Sequence, residues 1–145
     1  MKMDREQRDR DRLRIQMIEN AAEINRLHSR VKETFKLRGQ GEQSHAEWLH
    51  ACEEFHARYN LLCFPGGWGA DFYDRILAGD EKAVEVALCF LEVRPYFFRS
   101  GYHWKAILQK CKRANLQGVQ AEHFAVILAR YAAWKQRKSK LRSRH

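Results

Sequence analysis

Met17-Ile-Glu-Asn-Ala-Ala-Glu-Ile-Asn-Arg-Leu-His-Ser-Arg-Val-Lys-Glu-Thr-Phe35 is the stretch on which the fold turns. Met17, Ala21, Ile24, His28, Val31 and Phe35 recur at alternating spacings of four and three, so on a 3.6-residue helix they form one apolar stripe. Leu13 extends the stripe by a turn, and Ile18 and Leu27 widen it. Acids precede bases by three or four residues at Asp4/Arg8, Glu6/Arg10, Asp11/Arg14, Glu23/Arg26 and Glu33/Lys36, an order that supports an exposed helical surface. The pattern predicts one helix over residues 4–37. The turns before Leu13 carry no apolar face and are expected to fray, to project or to meet a partner.

The same periodicity continues downstream. Gly39 and Gly41 end the first helix, and Ser44 with Glu47 forms an S-x-x-E capping-box signature for a second. That helix carries the stripe Trp48, Cys52, Phe55, Tyr59 and Leu62, and the turn Phe64-Pro-Gly-Gly-Trp-Gly69 stops it. A short helix over Asp71–Leu77 closes at Gly79. Asp80 is the expected N-cap of a fourth helix reaching Val93, with Val84, Ala87, Leu88 and Leu91 inward. Arg94-Pro95 breaks it, because the residue before proline is pushed out of the right-handed helical region. A fifth helix opens at Ser100 or Gly101 and runs to Arg113, burying Trp104, Ile107, Leu108 and Cys111. A sixth runs from about Gln120 with Phe124, Ile127, Leu128, Tyr131 and Trp134 inward, and the tail beyond it is basic.

No segment alternates like a strand, so the expected fold is all-α: a single compact helical bundle of about six helices with a long N-terminal helix. Residues 70–93 and 101–134 share a helix–turn–helix rhythm that resembles the unit of an α-solenoid such as HEAT repeats. The organisation reads as a long amphipathic helix (1–38), a helical core (39–134) and a basic C-terminal tail (135–145). A chain of 145 residues with 45% apolar and 12% aromatic content suits one globular domain. The opening MKMDREQRDRDR has no apolar stretch of the kind a signal peptide needs, and an apolar run such as Val86–Leu91 is far short of the roughly 20 residues that span a bilayer. Four widely spaced cysteines inside apolar patterns read as free buried thiols, and the expected location is cytoplasmic, away from membranes.

Charge carries the functional reading. Residues 1–92 hold 14 Lys+Arg against 17 Asp+Glu, whereas residues 93–145 hold 13 Lys+Arg against the single acid Glu122. That asymmetry points to a polyanionic partner, RNA or DNA first, with an acidic protein surface as the alternative. The first candidate surface is Arg94-Pro-Tyr-Phe-Phe-Arg-Ser-Gly-Tyr-His-Trp-Lys105 with Lys110, Lys112 and Arg113. Its bases neutralise phosphates, and exposed aromatic planes stack on unpaired bases. Most of Tyr96, Phe97, Phe98, Tyr102 and Trp104 are expected to pack the junction between the fourth and fifth helices, large apolar rings being core-fillers first. Arg99 and His103 are candidate phosphate ligands at a helix start, with the Ser100 hydroxyl and nearby N–H groups. The second contact is the tail, through Lys135, Arg137, Lys138, Lys140 and Arg142. Such contacts position a ligand without reading its sequence.

The alternative reading is a protein-interaction module (adaptor, inhibitor or small subunit), supported by a first-helix stripe longer than one small bundle must cover, which also suits self-association. No cofactor or metal is expected. Cys52 and His56 share a helix face near Glu53 and Cys63, but the paired spacings of a zinc site are missing. Gly66-Gly67-Trp68-Gly69 lacks the Gly-Lys-Ser/Thr of a P-loop, and Asp71 and Asp74 read as early-helix acids facing the dipole. His28, on the first stripe, reads as an interior or boundary histidine. No catalytic residues are assigned and the protein is read as non-enzymatic. Arg38 and His45 resemble the loose Arg-x(4–6)-His pattern of the HEPN ribonucleases, small all-α proteins, although that pattern places both side chains at one helix start and Gly39 and Gly41 intervene here.

Overall fold

A helix that is apolar on nearly every side has to be surrounded, and α4 (Glu81–Val93) is that helix over Ala83–Leu91, where Glu85 alone interrupts the apolar run. Ala83, Val84 and every residue from Val86 to Leu91 are buried. The computed structural model describes the backbone of residues 2–143 and the side chains of residues 5–143. Within it α1 (Lys2–Leu37), α3 (Phe72–Leu77), α5 (Ser100–Arg113) and α6 (Gly118–Ser143) all pack on α4, while α2 (Glu42–Cys63) pairs with α1 as a helical hairpin. α3 packs on both α4 and α5, α4 packs on both α5 and α6, and α1 closes the remaining side of α4. The described residues contain six helices and no strand, so the fold is all-α. No described helix is long and apolar enough to cross a membrane.

The core follows the predicted stripes. Met17, Ala21, Ile24 and Leu27 of α1 are buried with Ala51 and Phe55 of α2, and Trp104, Ile107, Leu108 and Cys111 of α5 join Phe90 and Leu88. Asp80 caps α4 as expected, its carboxylate accepting from the backbone N–H groups of Lys82 and Ala83 at 3.1 Å each. The four cysteines are free, and Cys63, Cys89 and Cys111 are buried while Cys52 is half-buried.

Several expectations are corrected. Ile18 does not widen the α1 stripe; it is exposed, as is Phe35 near the hairpin turn, where the Trp48 ring of α2 meets it only edge-on. The Ser44/Glu47 capping box does not form. α2 starts earlier, after Gly41, whose φ of 132° is open only to glycine, and no side chain caps it. α6 does not stop near Trp134 but continues to Ser143, so the basic tail is a helical extension, and Trp134 sits at the surface. Its residues are good helix formers, and its cations complement the C-terminal pole of the helix. The Asp4/Arg8 pair and Arg144 lie outside the described side chains.

Candidate nucleic-acid interface

The link between α4 and α5 is short and heavily tied down. Arg94 ends α4 in the left-handed region (φ 49°), and Arg99 precedes α5 in the same region (φ 66°). They are the only described non-glycine residues with positive φ. Between and just after them the packing alternates: Pro95, Phe97 and Ser100 are buried, whereas Tyr96, Phe98 and Tyr102 face outward. Two bonds from other parts of the fold and one within the link hold it in place. Asn25 of α1 donates to the Tyr96 carbonyl (2.8 Å), the Tyr59 hydroxyl of α2 donates to the Phe98 carbonyl (2.6 Å), and the Ser100 hydroxyl accepts from the Phe97 N–H (3.1 Å). His28 of α1 stacks under Phe98, ring centroids 4.7 Å apart.

The aromatic expectation therefore divides. Phe97 and Trp104 are core, Trp104 donating its indole N–H to the Leu91 carbonyl at 3.0 Å. Tyr96 is 87% exposed and Tyr102 81%. The Ser100 hydroxyl is buried inside the link, turned to the Phe97 N–H rather than to solvent. His103 is corrected as well, because it turns inward: Nδ1 lies 2.6 Å from the Tyr73 hydroxyl and Nε2 3.1 Å from that of Tyr59. Since Tyr59 donates to Phe98, its oxygen must accept from His103 Nε2–H, and Tyr73 then donates to a bare Nδ1. Every group in this relay is satisfied by a neutral imidazole. Burial, seconded by the Arg99 charge, lowers the His103 pKa, and burial raises Tyr73 to about 12 and the adjacent Cys63 to about 11. His103 thus supports the link from beneath.

Some predicted cations are brought together. The Arg94 guanidinium carbon lies 4.4 Å from the Trp104 ring and 5.0 Å from that of Trp134, and the Lys138 ammonium lies 4.8 Å from Trp134. Lys135 stands 4.8 Å from Tyr131, which stacks on Trp134. Arg99 leans on Phe98 at 5.3 Å. Lys110, Lys112 and Arg113 occupy the far end of α5, about 20 Å from Arg99 at 1.5 Å per residue. Lys105, Arg137, Lys140 and Arg142 are exposed along α5 and the α6 extension. Among the described residues none of these cations forms an ion pair. Glu92, the acid nearest to them in sequence, is held elsewhere: one oxygen takes the Arg14 guanidinium of α1 and the other His123 of α6.

Tyr131, Trp134 and the Glu92 node were not among the predicted site residues. The spacing Tyr131/Lys135 and Trp134/Lys138, four apart on one helix, was a legible signal for the cation–aromatic contacts. The Glu92 node joins three helices distant in sequence and had none. Arg38 lies over the Phe35 ring at 3.4 Å and donates to the Phe35 carbonyl, which ties it to the end of α1. No three described His, Cys, Asp or Glu side chains converge as a metal site would require. A cleft of about 1110 Å³ between the start of α1, the 65–69 turn and the start of α4 mixes Arg10, Arg12, Arg75 and Lys82 with Glu6, Asp9, Glu81 and Glu85, so it presents no single sign of charge to a ligand.

Comparison of the chain with known protein families, with curated proteins and with solved structures finds no match.

Proposed function

We propose that the protein is a non-enzymatic nucleic-acid-binding module that grips phosphates with Arg94, Arg99, Lys105, Lys135, Arg137, Lys138, Lys140 and Arg142, with Lys110, Lys112 and Arg113 as a separate contact at the far end of α5. The observation that carries this reading is the absence of any carboxylate partner for these cations among the described residues. Their charge is left to solvent and counterions, which a phosphate backbone displaces with a gain in entropy. The test is binding of random-sequence RNA and DNA oligonucleotides by fluorescence anisotropy across a salt series. Six phosphate contacts predict a loss of affinity on the order of 10²- to 10³-fold between 50 and 200 mM salt. Absence of binding at 50 mM salt excludes the reading.

A second reading, a protein-interaction module, is favoured by Ile15 and Ile18, one turn apart on α1 and both more than half exposed. Its readout is an apparent mass that rises with concentration in light scattering.

A further inference from the structure

The link between α4 and α5 is built in a way its packing duties do not explain. Tyr96 and Tyr102 are the two most exposed large apolar or aromatic side chains among the described residues. Each belongs to a segment that is otherwise anchored: the carbonyl of Tyr96 is held by Asn25, and Tyr102 lies in the first turn of α5, its N–H bonded to the Arg99 carbonyl at 3.1 Å. Two arginines adopt the left-handed conformation that disfavours any side chain, one on each side of Tyr96. Ring exposure, a rigid mount and flanking guanidinium groups are the requirements of a stacking platform, where a base lies on an aromatic face and its phosphate meets a cation.

Resting on the phosphate-binding reading above, we propose that Tyr96 and Tyr102 are base-stacking platforms and that the ligand is single-stranded nucleic acid. In a duplex the faces of the bases are already occupied by their neighbours, so exposed tyrosine rings gain nothing from it. On a single strand each face is open and stacking adds to the phosphate term. Arg94 and Arg99 hold the backbone on either side, and Arg94 is itself steadied by the rings of Trp104 and Trp134. The relay Tyr73–His103–Tyr59 fixes the carbonyl of Phe98, so the mount does not have to be ordered when the strand arrives.

The experiment compares a labelled random 20-nucleotide single strand with the corresponding 20-base-pair duplex, at matched salt, for the unaltered chain, Tyr96→Ala, Tyr102→Ala and the double variant. Both rings are exposed, so these variants keep the fold, which circular dichroism checks. The single strand is expected to bind at least about tenfold more tightly than the duplex. Each alanine variant weakens single-strand binding about 5- to 100-fold with an unchanged salt slope, and leaves duplex binding as it was. Tyr96→Phe and Tyr102→Phe, which keep the ring, restore single-strand affinity. Salt-dependent binding that treats both ligands alike, or that ignores both alanine substitutions, overturns the stacking proposal and leaves the phosphate reading standing. No binding to either ligand at 50 mM salt removes both.

Discussion

Arg99 is the residue at which fold and function pull apart. Its left-handed backbone costs on the order of 1 kcal/mol that glycine would not incur. Its guanidinium forms no ion pair among the described residues and lies over the Phe98 ring at 5.3 Å. Arg99→Gly is therefore expected to raise the free energy of unfolding by about 1 kcal/mol while weakening nucleic-acid binding. Urea unfolding and anisotropy on the same preparation check both signs. A destabilised Arg99→Gly protein would mean that the arginine serves the fold. The buried thiols behave differently: burial lifts Cys89 and Cys111 to about 12, so they stay protonated and act as small apolar core groups.

Among the elements, α6 has two halves with different jobs. Its first half buries Phe124 and Ile127 against α4; from Trp134 to Ser143 every side chain is exposed. That second half is held by helix propensity, the favourable placement of cations near the helix C-terminus and the Lys138–Trp134 contact. Ending the chain at Lys135 is expected to change unfolding stability by no more than about 0.5 kcal/mol. The same truncation should flatten the salt dependence of single-strand binding by about 0.7 for every phosphate that is no longer neutralised. Denaturant melts and a salt series on the truncated chain measure both. Unchanged affinity and slope would remove the extension from the interface and leave binding to the 94–105 segment and the far end of α5.

Across the whole molecule, two half-buried histidines of α1 and α5 meet the same link. His28 stacks on Phe98, and His103 sits among Tyr59, Tyr73, Cys63 and the Arg99 charge. Burial lowers both pKa values from 6.5, with Lys32 adding to the effect at His28 and Arg99 at His103. The unfolded chain then takes up protons first as pH falls, so the stability tied to neutral imidazoles is complete above about pH 6.5. It is lost as pH falls toward the lower folded values and levels off beneath them. Glu23 and Asp80, held below ordinary carboxylate values by hydrogen bonds, act only in stronger acid. Urea midpoints should thus decline between pH 7 and pH 5, and His103→Gln should flatten that decline. An equal decline in His103→Gln and His28→Gln would place the acid sensitivity elsewhere.

Most helix positions and apolar stripes, the Asp80 cap and the concentration of cations beyond Glu92 were readable from the chain, because each depends on spacing or on neighbours a few residues away; the start of α2, the end of α6 and the outward Ile18 and Phe35 were not. The expectation that most rings between 96 and 104 fill the core holds for Phe97 and Trp104 and fails for Tyr96, Phe98 and Tyr102, and nothing local separates the two sets. Which way a ring points in a link depends on what α1 and α2 offer beneath it: Asn25 and Tyr59 supply hydrogen bonds there, and these bonds cross 71 and 39 positions of sequence. The inward turn of His103 and the binding of Glu92 by Arg14 and His123 were likewise decided only by tertiary packing. Periodicity is a property of one helix, whereas the partner of a buried polar atom is chosen by whichever helix the packing brings alongside.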